Sequence, residues 1–87
     1  MHEYVVEYIG TVFFLYVIIT TGNALAIGAA LALSIYLGGP ISGGNFNPAV
    51  SLLMVLAKKQ PMSSLAPYLL AQVAGALTVL ELHKRFK

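Results

Sequence analysis

Charged residues are scarce in this chain and lie only near its two ends. They make up 9% of the 87 residues, whereas roughly a quarter of the residues in a typical soluble domain are charged. No Asp, Glu, Lys or Arg occurs between Glu7 and Lys58. The composition therefore excludes an ordinary soluble domain, and the uncharged interval is long enough for two membrane crossings of about 20 residues each.

Cysteine is absent, and only three carboxylates are present. The first absence excludes a disulfide framework and a thiolate metal site. No nucleophile, base and acid are grouped, so the chain is not expected to be an enzyme, and no cofactor is expected. His2 and His83 lie at opposite ends and predict no metal site. The net charge is only +2 and no basic face lies outside the ends, so no nucleic-acid partner is expected.

Three stretches are apolar enough to cross a bilayer, at about residues 5–21, 24–37 and 64–82. Gly22 and Asn23 predict a tight turn between the first two. No Lys or Arg precedes the first stretch and more apolar sequence follows it, so a cleaved signal peptide is not expected. No linker divides the chain. It is predicted to be one all-α, multi-pass integral membrane unit over residues 1–87, with the lipid bilayer as its first partner.

A fourth element, at about residues 38–58, is predicted to enter the membrane and return on the same side. Gly38 to Phe46 are rich in glycine and are expected to be irregular. Asn47 and Pro48 form a favoured N-cap and first-turn pair, and the helix they begin is predicted to end near Lys58. This helix is too short to span the membrane. Two interpretations stay open: the loop lines a water-filled cavity, or it is an ordinary surface turn before a short interfacial helix.

Asn47 could serve both as a cap and as a solute-binding group. Its side-chain oxygen can accept a hydrogen bond from the helix, which leaves two amide N–H donors free. The helix N-terminus adds positive potential at the same point. The loop before it would supply backbone carbonyl acceptors from Gly43, Gly44, Asn45 and Phe46. Such a site suits water or a hydroxyl group and disfavours cations.

Residues 42–50, Ser-Gly-Gly-Asn-Phe-Asn-Pro-Ala-Val, resemble the first signature loop of the aquaporin and glycerol-facilitator family. Residues 7–11, 26–34 and 71–76 resemble the start of that family's first helix, its second helix and its third helix. The resemblance covers nearly the whole chain in the right order. It implies half of an aquaporin-like fold, with three transmembrane helices and one re-entrant half-helix.

The resemblance also implies roles for individual residues. Asn47, Pro48, Ala49 and the loop residues 43–46 would line a pore, and Ile27 would form one side of its narrow selectivity ring. For Ile27 the alternative is plain core or lipid contact. Glu7 would brace the loop by hydrogen bonds, or would lie on the surface at the membrane edge. Gln72 would support the motif from the third helix.

The chain departs from the family pattern in having one repeat rather than two inverted repeats. Val50 stands where the family's second repeats carry an arginine. The resemblance therefore implies a partner, which could be an inverted copy of this chain, a different chain or a continuation of this sequence, and a higher homo-oligomer. The expected function is passive transport of water or small neutral solutes such as glycerol. The alternative is a truncated, non-conducting fragment or assembly subunit.

Overall fold

In a computed structural model, residues 2–86 form helices joined by short loops and contain no strand. Helix α1 covers His2–Thr21, α2 Ala24–Ser42, α3 Pro48–Leu56 and α4 Leu65–Phe86, and a 3₁₀ turn at Met62–Ser64 precedes α4. Three helical segments, His2–Thr21, Ala24–Ser42 and Met62–Phe86, are long and apolar enough to cross a membrane. The predicted all-α architecture with three spanning helices is confirmed.

The turn between α1 and α2 forms as its two residues predict. Gly22 has a φ of 57°, in the left-handed region that glycine enters without steric cost. Asn23 is the N-cap of α2, and its side-chain oxygen accepts a hydrogen bond from the backbone N–H of Ala26 at 2.9 Å. Because so little chain connects them, α1 and α2 are antiparallel neighbours.

Helix α2 is longer than predicted, and this corrects the expected loop. Gly38 to Ser42 were expected to be irregular, but they continue the helix past Pro40. Gly38 is buried, and a Cβ placed there would lie 2.9 Å from the side chain of Val6, so this glycine permits close packing of α1 and α2. The helix ends where Gly43 adopts a φ of 89° and donates its N–H to the carbonyl of Gly39. The irregular segment is therefore only residues 43–47.

Helix α3 is half the length of a membrane span. Its nine residues extend about 14 Å, against the ~30 Å of a hydrocarbon core. It packs against α4 and the 3₁₀ turn, while α1 packs against both α2 and α4. The ring of Tyr4 lies 5.8 Å from that of Tyr68 in an edge-to-face contact, so α1 and α4 begin on the same side of the unit.

The interior of the described chain is more polar than its surface. Five hydrophobic side chains are buried, whereas eight polar or charged ones are, including Glu7, Ser51 and Gln72. Large apolar side chains such as Leu25, Leu53 and Leu70 are exposed. In water this arrangement would be unfavourable. In a bilayer the apolar surface contacts lipid, and the polar groups form hydrogen bonds with one another inside the protein.

Candidate functional site at the re-entrant loop

Asn47 lies at the N-terminus of α3 with its side chain exposed. Its backbone is extended, with φ −157° and ψ 128°, and its side-chain oxygen accepts a hydrogen bond from the N–H of Ala49 at 2.7 Å. Pro48 occupies the first helical turn, where its missing N–H costs nothing. The side-chain nitrogen of Asn47 makes no hydrogen bond to the described residues, so its two amide donors are free.

Glu7 holds the loop from behind. Its side chain is 0% exposed and accepts four hydrogen bonds, which fill the roughly four acceptor sites of a carboxylate. Oε1 accepts from the N–H of Phe46 at 2.8 Å and from Nε2 of Gln72 at 2.9 Å. Oε2 accepts from Oγ of Ser42 at 2.7 Å and from the N–H of Asn45 at 3.1 Å. One α1 side chain thus fixes two consecutive loop amides directly before Asn47.

A second group of polar side chains joins the loop to α3 and α4. Ser51 is fully buried, and its hydroxyl oxygen accepts from Nδ2 of Asn45 at 2.9 Å and from Nε2 of Gln72 at 2.8 Å. Nδ2 of Asn45 also donates to Oε1 of Gln60 at 2.7 Å. Tyr68 donates its hydroxyl to the carbonyl oxygen of Ser42 at 2.6 Å, which secures the end of α2. The loop is therefore bonded directly to α1 and α3, and it is connected to α4 through the bonds that Gln72 makes to Glu7 and Ser51.

Phe46 adopts a backbone conformation that is unusual for a residue other than glycine. Its φ is 52° and its side chain is only 3% exposed. Such left-handed residues cost free energy and persist where their surroundings determine them. Here the N–H is held by Glu7, and the ring fills space beside Gly10 and Gly38, where added Cβ atoms would lie 2.2 Å and 3.1 Å from ring carbons. The ring and its two glycines thus lock the residue before Asn47.

The predicted pore-lining residues differ in their exposure. Gly43, Asn47, Pro48 and Ala49 are exposed, and Ile27 is half-buried on α2. Gly44, Asn45 and Phe46 are buried. The side chains of Asn45 and Phe46 point into the fold, so any contact they make with a solute would involve backbone atoms. Their assignment to a pore stays a prediction.

Ser51, Gln60 and Tyr68 belong to this network but were not predicted to do so. For Ser51 a signal existed, because a serine one turn after the N-cap of an apolar helix must find a partner at membrane depth. Gln60 and Tyr68 carried no comparable signal, since each lies near a predicted helix end where water could satisfy it. Only the three-dimensional fold shows that they face the loop.

A family profile described as major intrinsic protein matches residues 1–86. The chain belongs to the major intrinsic protein family. It is 36% identical to a glycerol uptake facilitator protein-like 6 of Lactiplantibacillus plantarum, over 99% of this chain and 44% of that protein. It is 50% identical to aquaporin Z of Brucella melitensis, over 64% of this chain and 25% of that protein.

A third relative, aquaglyceroporin AqpS of Rhizobium meliloti, is 46% identical over 63% of this chain and 24% of its own length. The chain thus spans less than half the length of these major intrinsic proteins. No solved structure was found to match it. Membership in the family, together with three spanning helices, makes the chain an integral membrane protein of a channel family and not an enzyme.

Proposed function

We propose that this chain supplies one half of a channel that conducts water or small neutral solutes such as glycerol. The observation that best supports this proposal is the exposed amide of Asn47 at the start of a half-length helix. Glu7 holds the loop that leads to Asn47. A flexible loop could not hold donors at a fixed point in the membrane. Four hydrogen bonds to one buried carboxylate keep this one in place.

The electrostatics of the site favour neutral solutes. The N-terminus of α3 carries partial positive charge, and the free amide donors of Asn47 lie at this N-terminus. The carboxylate of Glu7 behind the loop could act against this, but its side chain is fully buried and its acceptor sites are occupied. A water molecule or a hydroxyl group can accept from the amide, whereas a cation is disfavoured there by the donors and the positive potential of the helix N-terminus.

A second repeat is required to complete such a pore. Irregular backbone at membrane depth is tolerated only when protein or a water-filled cavity covers it. Gly43 and Asn47 are exposed, and the outer face of α3 presents Leu53 and Leu56, which are 62% and 65% exposed. We infer that a second aquaporin-like repeat packs against this side.

An inverted copy of the same chain is the partner we favour, with further association into a higher homo-oligomer. Lys58 and Lys59 lie on the side where α1 begins, whereas Lys84 and Arg85 lie in the last turn of α4 and Lys87 comes next after it in the sequence. Orientation in a membrane depends largely on Lys and Arg near span ends. Since the two sides carry nearly equal numbers, insertion in both orientations is feasible. Neither copy would place an arginine beside the motif, because Val50 occupies that position.

Flux through liposomes that contain only the purified chain tests the proposal. Vesicles are mixed with an impermeant osmolyte to measure water flux and with glycerol to measure solute entry. We expect both to exceed the rates of protein-free vesicles, and to rise more steeply than linearly with protein density because two copies form one pore.

The competing function is that of a non-conducting fragment or assembly subunit. Its support is the short length of the chain relative to the proteins that it matches. Rates equal to those of empty vesicles, from protein whose circular dichroism shows intact helices, would favour this alternative. If flux then appeared on co-reconstitution with a full-length relative's second half, the partner would be a different chain.

A further inference from the structure

Besides Phe46, Lys58 is the other non-glycine residue of the described chain whose backbone adopts a left-handed conformation. Its φ is 63°, and it directly follows the C-cap of α3. The N–H of Lys58 bonds the carbonyl of Val55 at 3.1 Å, and the N–H of Lys59 bonds that of Met54 at 2.8 Å. This is the Schellman arrangement, in which glycine is the usual left-handed residue. A lysine in this conformation costs free energy relative to glycine, but it places a charged side chain at the end of α3.

Lys58 and Lys59 also line a groove that lies just beyond the end of α3. They are the first charged residues after the uncharged interval that begins at residue 8, and both are exposed. The groove has a volume of about 510 Å³. Its walls combine cationic, amide and apolar groups: Val55, Lys58, Lys59, Gln60, Pro61 and Met62. A ligand that fits this groove should carry a negatively charged group at one end and an apolar group at the other.

The charges around the groove favour an anion. Within the described residues, neither Lys58 nor Lys59 forms an ion pair, whereas Lys84 at the far end of α4 lies 3.8 Å from Glu81. The end of α3 would normally repel an anion through its free carbonyl groups. Here the carbonyls of Leu53, Met54 and Val55 accept hydrogen bonds from the turn, which reduces that repulsion.

We propose that Lys58, Lys59 and this groove bind the headgroup of an anionic phospholipid. The two ammonium groups contact the phosphate, and the apolar walls accept the glycerol and upper acyl region. Gln60 lines the groove and accepts a hydrogen bond from Asn45 in the loop before Asn47. Bound lipid therefore stabilises the fold through the connection that holds the loop.

Thermal unfolding of the purified chain in neutral detergent tests this, with phosphatidylglycerol or phosphatidylcholine added at equal concentration. We expect phosphatidylglycerol to raise Tm more than phosphatidylcholine does. Lys58→Gly and Lys59→Gln should each weaken the apparent affinity for phosphatidylglycerol roughly fivefold. Lys84→Gln is the matched control, because it removes one lysine at the opposite end and should leave the response unchanged.

Lys58→Gly also separates lipid binding from folding. Glycine adopts the left-handed conformation freely, so Tm without added lipid should be equal to or higher than that of the unchanged chain. Lys58→Asn, which tolerates the same conformation, should repeat the loss of lipid response. Three results would overturn the proposal: a full phosphatidylglycerol response in Lys58→Gly, an equal response to phosphatidylcholine, or the same shift with inorganic phosphate alone.

Discussion

At the scale of single residues, Asn47 presents two chemically different groups at one point. Its oxygen is used inside the fold, where it caps α3 through the N–H of Ala49. Its nitrogen makes no hydrogen bond to the described residues, so its two donors are free. Aspartate keeps the first group and loses the second, so one substitution can separate capping from solute binding.

We expect Asn47→Asp to reduce solute flux about tenfold, since a lost donor contact of ~1.4 kcal/mol corresponds to that factor. The added negative charge should also raise cation leak. Stopped-flow light scattering and an ion-sensitive dye in proteoliposomes measure the two effects. Asn23→Asp is the matched control, because Asn23 caps α2 in the same way but lies in the α1–α2 turn. Unchanged flux and selectivity at normal protein level would remove Asn47 from the pore.

Glu7 is the residue on which the geometry of the loop depends most. Glutamine has almost the same shape, but its NH₂ group would face two of the four donors that now surround the carboxylate. Buried donors that lose their acceptor cost about 1–3 kcal/mol each. Glu7→Gln should therefore lower the free energy of unfolding by more than a substitution at an exposed position usually does.

We expect Glu7→Gln to lower the free energy of unfolding by about 3 kcal/mol, from two unpaired buried donors. Chemical unfolding in detergent, followed by circular dichroism, measures this change. Glu81→Gln removes the same charge from a side chain that is 59% exposed and should have little effect. Equal stability of the two variants would show that the carboxylate of Glu7 does not support the loop.

At the scale of elements, glycines decide how α1, α2 and the loop fit together. Gly10 on α1 and Gly38 on α2 face the ring of Phe46, and Gly75 on α4 faces Thr11, whose side chain would lie 2.9 Å from an added Cβ. Gly28 on α2 differs, because nothing lies within 4 Å of the corresponding point. The small residues 24, 28 and 32, spaced for close helix crossing, are all exposed and have no partner helix in the described chain.

Gly10→Ala should lower the free energy of unfolding by about 1–3 kcal/mol, as overpacking does, because the new methyl would lie 2.2 Å from a ring carbon of Phe46. Flux should fall with it, since a displaced Phe46 moves Asn47. Thermal unfolding and liposome flux are the measurements. Gly28→Ala should be neutral or slightly stabilising within one chain. A Gly10→Ala variant as stable as Gly28→Ala would show that the ring relaxes without strain.

At the scale of the whole molecule, the unit has a polar interior and an apolar exterior, and part of its irregular backbone is exposed. The half-helix leucines, Gly43 and Asn47 of the loop, and the small-residue face of α2 are exposed, and we propose that a second repeat covers the loop and the half-helix. With an odd number of spans the two ends lie on opposite sides, so an inverted copy must cross the membrane in the other direction. Sidedness is therefore the property that tests the proposed pairing.

We expect cysteines placed at Phe86 and at Met62 each to be labelled in about half of the molecules by a reagent that cannot cross the membrane. Both residues are exposed, and neither substitution alters the Lys and Arg balance that governs orientation. The chain has no other cysteine. Intact vesicles give the labelling from one side, and detergent gives the total. Complete labelling at one position and none at the other would exclude the inverted homodimer.

Local signals along the chain were sufficient to predict its membrane environment and the order of its elements. The lack of charge between Glu7 and Lys58 predicted membrane spans, and Asn47 with Pro48 predicted the start of the half-helix correctly. Both signals are local: hydrocarbon requires uncharged side chains, and an N-cap needs only its own helix.

The packing of the helices explains the features that local signals along the chain left ambiguous. Glycine and Pro40 favoured a loop from Gly38, but in a low-polarity setting backbone groups stay bonded within the helix, and Gly38 serves close packing instead. Whether Glu7 lay on the surface or beneath the loop depended on how α1 turned toward residues far along the chain. Long-range contacts also brought Gln60 and Tyr68 to the loop. Such contacts arise from the packing of whole helices, which no short window of residues contains.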